Sequence, residues 1–212
     1  MNKHLLRFNK DQKYIVFDYE TCGLNLISRA NKPWQLAFLV CESGSIKESY
    51  DFYIKWDPLP ISEEAKRVTK FDIKKYQSSY VEPDKVLKVF EKYFYDPSYF
   101  LVGHNILGFD IYIHNLHRKL CGLDSDYSYI NRIIDTNCLA KSIALDINYD
   151  NTDLFSWQSK LCSIRKKGLK TNLKSLCVKY KIDFNENMLH NALYDIEKNY
   201  EVFKKIMWDL NI

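Results

Sequence analysis

Four acidic residues and one histidine have the types and positions needed for chemistry at one site: Asp18, Glu20, Asp110, Asp195 and His190. Asp18 and Glu20 end a run of apolar, β-favouring residues. Alternate residues of a strand face the same side, so both carboxylates should project together near a strand end. Ligand sites of open α/β sheets commonly lie beyond such ends. Two acids in a solvated turn would give the same local pattern.

Asp110 and Asp195 both intrude on apolar faces of predicted helices. Asp110 falls near a helix start, where the helix dipole also favours an acid. Asp195 lies inside the apolar stripe of the last helix, and a carboxylate buried there needs an ion pair, a proton or a metal ion. Because three other acids are available, metal binding is preferred over an ion pair with a lysine or arginine.

Four carboxylates at one site repel and raise each other's pKa, and divalent cations remove that cost. Oxygen ligands suit Mg²⁺ or Mn²⁺. Two such ions, roughly 3.5–4 Å apart, can clamp a phosphodiester. His190 lies just before or at the start of the last predicted helix. Histidine titrates near neutral pH and can take a proton from an attacking water, although a surface or capping role would fit His190 considered alone.

The elements that must position these residues form a predicted mixed α/β sheet with helices on its faces. Three strands come first, at 14–18, 34–42 and 46–55, with short links that favour an antiparallel meander. Two more strands, at 98–102 and 130–135, alternate with helices. The predicted helices cover 62–71, 84–95, 107–120, 136–145, 172–181 and 189–209.

The segment 146–170 breaks this alternation because it is polar and lacks a clear period. It includes the basic run 165–170, which either contacts phosphates or forms a solvated loop. We expect one domain over 1–212, with this segment as an elaboration, since 212 residues suit a single core. The net charge of +4 is compatible with a polyanionic partner but does not demonstrate one.

The cysteines and the apolar segments bear on location. None of the six cysteines forms a C-x-x-C pair, so zinc-finger spacing is absent. The sequence shows neither a hydrophobic leader nor an apolar stretch long enough for a membrane helix. We therefore expect a soluble, cytoplasmic protein in a reducing compartment, without structural disulfides or a membrane partner.

Three short motifs, in order, resemble those of the DEDDh exonucleases, the DnaQ-like family of ribonuclease-H-like fold. They are Asp18-Tyr19-Glu20-Thr21-Cys22-Gly23-Leu24, His104-Asn105-Ile106-Leu107-Gly108-Phe109-Asp110 and His190-Asn191-Ala192-Leu193-Tyr194-Asp195. The last motif has the spacing of the histidine subclass, because Asn191 stands where the tyrosine subclass has its tyrosine. Residues 61–71 and the pair Asp135-Thr136 add support, and the resemblance runs from about residue 12 to about residue 207.

The resemblance implies a five-stranded ribonuclease-H-like sheet and a 3′–5′ exonuclease. Such an enzyme releases nucleoside 5′-monophosphates from single-stranded or frayed 3′ ends. It would hold two divalent ions, Mg²⁺ or Mn²⁺, on the four acids, with His190 as general base. Further candidates, for contact with the terminal nucleotide, are Thr21, Gly23 and Leu24, with Asn105 and Phe109 as weaker ones. Asp135 also ends a strand, but it is interpreted as structural and not as a fifth ligand.

Two departures from the family pattern accompany the resemblance. Cys22 stands where the family often has threonine, and one extra residue separates Asn105 from Phe109. DNA is slightly preferred as substrate, with an RNA 3′–5′ exonuclease as the alternative. A catalytically silent nucleic-acid-binding or polymerase-docking module is the competing class. Homodimerisation or association with a polymerase is possible for either class.

Overall fold

A five-stranded mixed sheet organises the residues that the computed structural model describes, namely 5–26, 28–150 and 153–212. The strands are β1 (Lys13–Thr21), β2 (Pro33–Glu42), β3 (Ser45–Tyr53), β4 (Tyr99–Gly103) and β5 (Ile133–Asp135). Their order is β3-β2-β1-β4-β5. The first three form an antiparallel meander, and β4 and β5 continue the sheet in parallel with β1. The predicted meander followed by parallel strands is therefore confirmed.

Helices cover both faces of this sheet. They are α1 (Glu63–Thr69), α2 (Ile73–Ser79), α3 (Pro83–Phe94), α4 (Asp110–Leu120), α5 (Thr136–Leu145), α6 (Leu154–Ser163), α7 (Leu173–Tyr180) and α8 (Ala192–Ile206). Phe17 packs on Phe90 and Phe94 of α3, whereas Tyr14 packs on Phe203 of α8. Since residues 14 and 17 lie on opposite faces of β1, α3 and α8 cover opposite sides. None of the helices in the described ranges is both long and apolar enough to cross a membrane.

The central strand β1 explains where a site can open. Its residues Ile15, Val16 and Phe17 are fully buried, as β-favouring apolar residues in a two-sided core should be. The parallel pairing of β1 with β4 stops at Val16 and Val102, yet β1 continues to Thr21. The last residues of β1 therefore extend past the end of β4, and their side chains lie at an edge with no strand on one side.

The structure of the segment 146–170 differs from the prediction. Instead of an irregular elaboration, it contains α6, which begins after Asp153, whose side chain accepts from the Ser156 amide. Trp157 and Leu161 are buried one helical turn apart. The apolar residues were therefore at helical spacing, but the polar residues between them hid the pattern. Residues 151–152 of this segment lie outside the described residues.

One additional helix and two later helix starts also differ from the prediction. The short helix α2 was not predicted, and it buries one of its residues, Tyr76. The helix expected from residue 107 begins at Asp110, because residues 105–109 form a turn that starts with Asn105 at a positive φ of 66°. The last helix begins at Ala192, not at 189, because His190 also has a positive φ, of 67°.

Candidate active site

Asp18 and Glu20 lie in the part of β1 that extends past β4. They flank Tyr19, which is buried and packs on the opposite face. Alternation along the strand therefore places both carboxylates on one face, as predicted. Within the described ranges, no hydrogen bond is made to the carboxylate oxygens of either residue. Both groups are thus available to a ligand.

Asp110 contacts the same end of β1 from the start of α4. It is the first residue of α4 and is buried, and its Oδ1 accepts the backbone N–H of Tyr19 at 2.9 Å. This bond replaces the partner that β4 no longer supplies to β1. The extra residue in the second motif is absorbed in the turn before Asp110, where the Gly108 amide donates to the Asn105 carbonyl at 3.0 Å. A β-carbon at Gly108 would lie only 2.8 Å from Asn105 Oδ1, so a larger residue there would displace the Asn105 side chain.

Asp195 lies in the first turn of α8. Its Oδ2 accepts the backbone N–H of His190 at 3.0 Å. Its Oδ1 is buried and has no hydrogen-bond partner in the described part of the chain. No lysine or arginine of that part forms a salt bridge with it. The ion pair that would have explained a partly buried Asp195 is therefore not formed, and one of its oxygens remains without compensation.

The four acids Asp18, Glu20, Asp110 and Asp195, here called the carboxylate cluster, share one electrostatic environment. Burial, followed by repulsion from the other three, raises the pKa of Asp18 well above its ordinary value. Burial and repulsion from Asp195 and Asp110 raise the pKa of Glu20 to about 8. The pKa of Asp110 rises to about 7 and that of Asp195 to about 6, in both cases chiefly through burial. Ionisation of one member thus disfavours ionisation of its neighbours in the cluster.

Such a cluster fits a hard divalent cation. It offers only oxygen donors, and several of them have no other partner. Among the described residues, no three His, Cys, Asp or Glu side chains stand close enough to enclose an ion as they are. The match therefore lies in donor chemistry, charge and the unpartnered Asp195 Oδ1, and not in coordination distances.

His190 borders a cavity of about 490 Å³ that also includes Asp18 and Asp195. We call it the histidine cavity. His190 itself is exposed and sits between a short 3-10 turn, Glu186–Met188, and α8. His190 therefore borders the same open space as two members of the carboxylate cluster. The predicted proximity of His190 to the acids is what the structure shows.

A second cavity, of about 460 Å³, lies on the Glu20 side of the cluster. We call it the leucine cleft, because Leu24, which is 85% exposed, stands at it together with Phe109 and α1. The Thr21 hydroxyl donates to the Gly23 carbonyl, and the Gly23 amide donates to Asn31 at 2.9 Å. Thr21 and Gly23 thus shape the turn, while Leu24 and Phe109 present apolar surface to the cleft.

Asn105 and Asp135 belong to a supporting layer. The side chain of Asn105 is exposed and accepts from Asn137 at 3.4 Å. Asp135 is fully buried, and its oxygens accept four backbone amides, those of Asn105, Leu107, Asn137 and Cys138. The interpretation of Asp135 as structural agrees with these contacts, since each of its oxygens already has a partner.

Several residues at the site were not predicted. His104 was part of a quoted motif, but its place in the histidine cavity was not recognised. Its Nδ1 lies 3.0 Å from the Thr136 hydroxyl, which in turn donates to Asn199. Lys174, at the start of α7, lines the same cavity. Nothing local to Lys174 in the sequence indicates this position, because it depends on how α7 packs.

Comparison with known proteins decides the family. Residues 15–203 match the exonuclease family designated RNase_T. The chain belongs to this exonuclease family. The resemblance to DEDDh exonucleases is thereby confirmed at the level of the family.

Individual relatives agree with this family. The chain is 32% identical over 133 residues to a "DNA polymerase III PolC-type" of Pediococcus pentosaceus, a match covering 62% of this chain and 8% of the relative. It is 24% identical over 206 residues to the protein of that name from Mycoplasma genitalium, covering 95% and 12%. The chain thus spans only about a tenth of the length of these relatives.

A solved structure shares the fold. The zinc-bound form of Escherichia coli exonuclease I in complex with single-stranded DNA superposes with a TM-score of 0.71 and 18% identity. The superposition covers 92% of this chain and 40% of exonuclease I. The ribonuclease-H-like expectation for the sheet is confirmed by this likeness.

Proposed function

We propose that this protein is a metal-dependent 3′–5′ exonuclease that releases nucleoside 5′-monophosphates from single-stranded or frayed 3′ ends, with DNA slightly preferred. One observation carries the proposal: Asp195 Oδ1 is buried without a partner in the described residues, close enough to Asp18 and Glu20 for its charge to raise their pKa values. Membership of the exonuclease family supports the same chemistry.

In this proposal, Asp18, Glu20, Asp110 and Asp195 hold two divalent ions, Mg²⁺ or Mn²⁺. When bound, the ions neutralise the cluster and polarise the phosphodiester. Burial, followed by repulsion between carboxylates, raises the pKa values of Asp18 and Glu20. These raised pKa values support the assignment, because a bound cation would stabilise the ionised carboxylates and relieve their repulsion. Exonuclease I, which shares the fold, has a zinc-bound form.

The chain's own residues supply the remaining steps. His190 takes a proton from the water that attacks the phosphorus. The bond from phosphorus to the O3′ of the preceding nucleotide breaks, and that oxygen takes a proton from solvent. The mononucleotide leaves with its 5′-phosphate, and the shortened chain ends in a 3′-hydroxyl. Leu24 and Phe109 contact the terminal base from the leucine cleft, in a turn shaped by Thr21 and Gly23. Asn105, whose exposed side chain accepts from Asn137 of α5 at 3.4 Å, stays a weaker candidate for contact with the terminal nucleotide.

The preference for DNA draws support from the relatives, which are named DNA polymerases, and from the DNA complex of exonuclease I. The same names support association with a polymerase, whereas homodimerisation stays a prediction. We also retain one exonuclease domain over 1–212 and a cytoplasmic, reducing location as parts of the proposal. A phosphate-binding role for the basic run 165–170 stays a prediction as well.

The test uses matched DNA and RNA oligonucleotides with a 5′ label, incubated with Mg²⁺ or Mn²⁺. We expect a ladder shortened from the 3′ end, released 5′-monophosphates and faster loss of DNA. Asp18→Asn protein, purified in parallel, controls for contaminating nuclease. Faster loss of RNA would select the RNA alternative. Binding of a 3′-tailed oligonucleotide without monophosphate release under either metal would identify a silent module.

A further inference from the structure

A lysine outside the three motifs reaches the segment that carries His190. Lys70 follows α1, and its Nζ donates to the backbone carbonyls of Asn187 and Leu189, the second at 3.3 Å. The two carbonyls lie 117 and 119 positions from Lys70 in the sequence, and Leu189 immediately precedes His190. Lys70 therefore links the end of α1 to the segment before α8, which is distant from it in the sequence.

The segment it holds is conformationally demanding. His190 has a φ of 67°, in the left-handed region that residues with a β-carbon rarely occupy. Such conformations persist only where the surroundings fix them. The backbone N–H of His190 is held by Asp195 Oδ2 at 3.0 Å, and the carbonyl just before it is held by Lys70.

The imidazole of His190 has no comparable support. Its ring makes no hydrogen bond within the described ranges, and the residue is exposed. The direction of the ring therefore depends on the backbone that carries it. Lys70 and Asp195 hold that backbone from its two sides.

The other end of this connection lies at the leucine cleft. Thr69, the neighbour of Lys70, lines the cleft together with Ala65 and Val68 of the same helix. Lys70 also has a positive φ, of 55°, as the residue that ends α1. Its backbone N–H donates to the Lys66 carbonyl at the end of α1, while its ammonium donates to carbonyls of the segment before His190.

We propose that Lys70 is a positioning residue that sets the orientation of His190 and ties it to the wall of the leucine cleft. The inference rests on the proposed exonuclease function. The ammonium group contributes two hydrogen bonds to carbonyls that would otherwise be solvated. Its charge also lowers the pKa of Asp195, so geometry and charge must be separated by experiment.

The variants are Lys70→Met, Lys70→Arg and Lys70→Gly. In Lys70→Met, kcat should fall by about tenfold to a hundredfold, as expected for a misplaced catalytic group. The dissociation constant for a labelled oligothymidylate, measured with Ca²⁺, should change less than twofold. Lys70→Arg keeps charge and donors and should restore most of kcat. Lys70→Gly removes the amine but accepts the positive φ, so it should melt no lower than wild type and still lose kcat.

Lys66→Met is the matched control, because Lys66 lies on the same helix and pairs with the exposed Glu63. It should keep the wild-type kcat. The decisive comparison is made in a His190→Ala background. If Lys70 acts through His190, Lys70→Met should cost nothing further there, because coupled residues are not additive. An equal loss in both backgrounds would mean that Lys70 acts independently of His190, through the charge on Asp195 or through the substrate, and would overturn the proposal. No loss in either background would also overturn it.

Failure of the proposed function can be recognised separately. If wild-type protein cleaves no oligonucleotide, the exonuclease proposal fails. Hydrogen exchange of the His190 amide then still reports on Lys70, since this amide donates to Asp195. Faster exchange in Lys70→Met, but not in Lys66→Met, supports the positioning role. Unchanged exchange overturns it.

Discussion

Two strand ends of the sheet carry acids, and these acids differ in what surrounds them. At the end of β5, Asp135 accepts four backbone amides. Near the end of β1, Asp18 and Glu20 accept no hydrogen bond in the described residues. Burial, followed by repulsion from the other acids of the carboxylate cluster, raises their pKa values. The residue type and the sheet edge are the same, so neither identifies a ligand. What differs is whether the protein satisfies the carboxylate itself.

The satisfied acid has a clear structural purpose. Asp135 holds the turn of the second motif through Asn105 and Leu107, and so sets where α4 begins with Asp110. Gln158 of α6 completes the arrangement, because its side chain bonds the Asp135 amide at 2.7 Å and the Ile133 carbonyl at 2.8 Å. Edge strands leave such groups exposed, and here a helix covers them. Asp135 thus stabilises the turn that positions Asp110, whereas the carboxylates of Asp18 and Glu20 have no hydrogen-bond partner in the described residues.

The largest effect should come from Asp18→Asn. Removing one carboxylate from the centre of the cluster should lower the cleavage rate by at least about a thousandfold. The melting temperature in EDTA should be equal or higher, because a repelling, desolvated charge is lost. Stabilisation by Mn²⁺ should shrink at the same time. The measurements are a labelled-oligonucleotide assay and thermal melts with EDTA and with Mn²⁺.

A marked fall in the EDTA melting temperature of Asp18→Asn would contradict this reasoning. It would place Asp18 with Asp135 as a structural acid. Retained cleavage would remove Asp18 from the ligand set. Asp110 is a less clean test, because its Oδ1 also holds the Tyr19 amide.

Asp135→Asn should show the opposite pattern. The amide oxygen can replace Oδ1, but the NH₂ group would then face the Leu107 amide, which loses its acceptor. One unsatisfied buried donor costs about 1–3 kcal/mol. For a chain of this length, that lowers the melting temperature by about 2–4 °C per kcal/mol. Cleavage by the folded protein and the shift caused by Mn²⁺ should stay close to wild type.

This contrast between the two acids fails if Asp135→Asn melts like wild type. It also fails if that variant loses the response to Mn²⁺, since Asp135 would then act as a ligand. Measuring Asp18→Asn and Asp135→Asn side by side gives each variant the other as its control.

The sequence allowed much of this site to be predicted, for reasons that are local. Strand alternation placed Asp18 and Glu20 together, and helical periodicity placed Asp195 beside apolar neighbours. What could not be predicted depends on distant contacts. The bond from Lys70 to Leu189 joins positions 119 residues apart. Gln158 is one polar residue in a polar segment until α6 is packed on β5.

The smallest effect, and the most specific one, is a pH dependence of stability without metal. The pKa values of Glu20, Asp110 and Asp195 rise to about 8, 7 and 6 in the folded protein. An unfolded chain ionises these groups near pH 4. Between about pH 4 and pH 8 the folded state therefore binds more protons than the unfolded state, and its stability falls as pH rises.

Glu20→Gln should remove part of this decrease in folding stability with rising pH. In EDTA, the melting temperature of wild type minus that of Glu20→Gln should become more negative from pH 5 to pH 8, because only the wild type must ionise Glu20. Taking the difference cancels titrating groups elsewhere in the chain. With Mn²⁺ the sign should reverse, since metal binding requires the ionised carboxylate and strengthens with pH. A difference that is independent of pH in EDTA would mean that Glu20 is already satisfied, as Asp135 is, and would erase the distinction between the two strand ends.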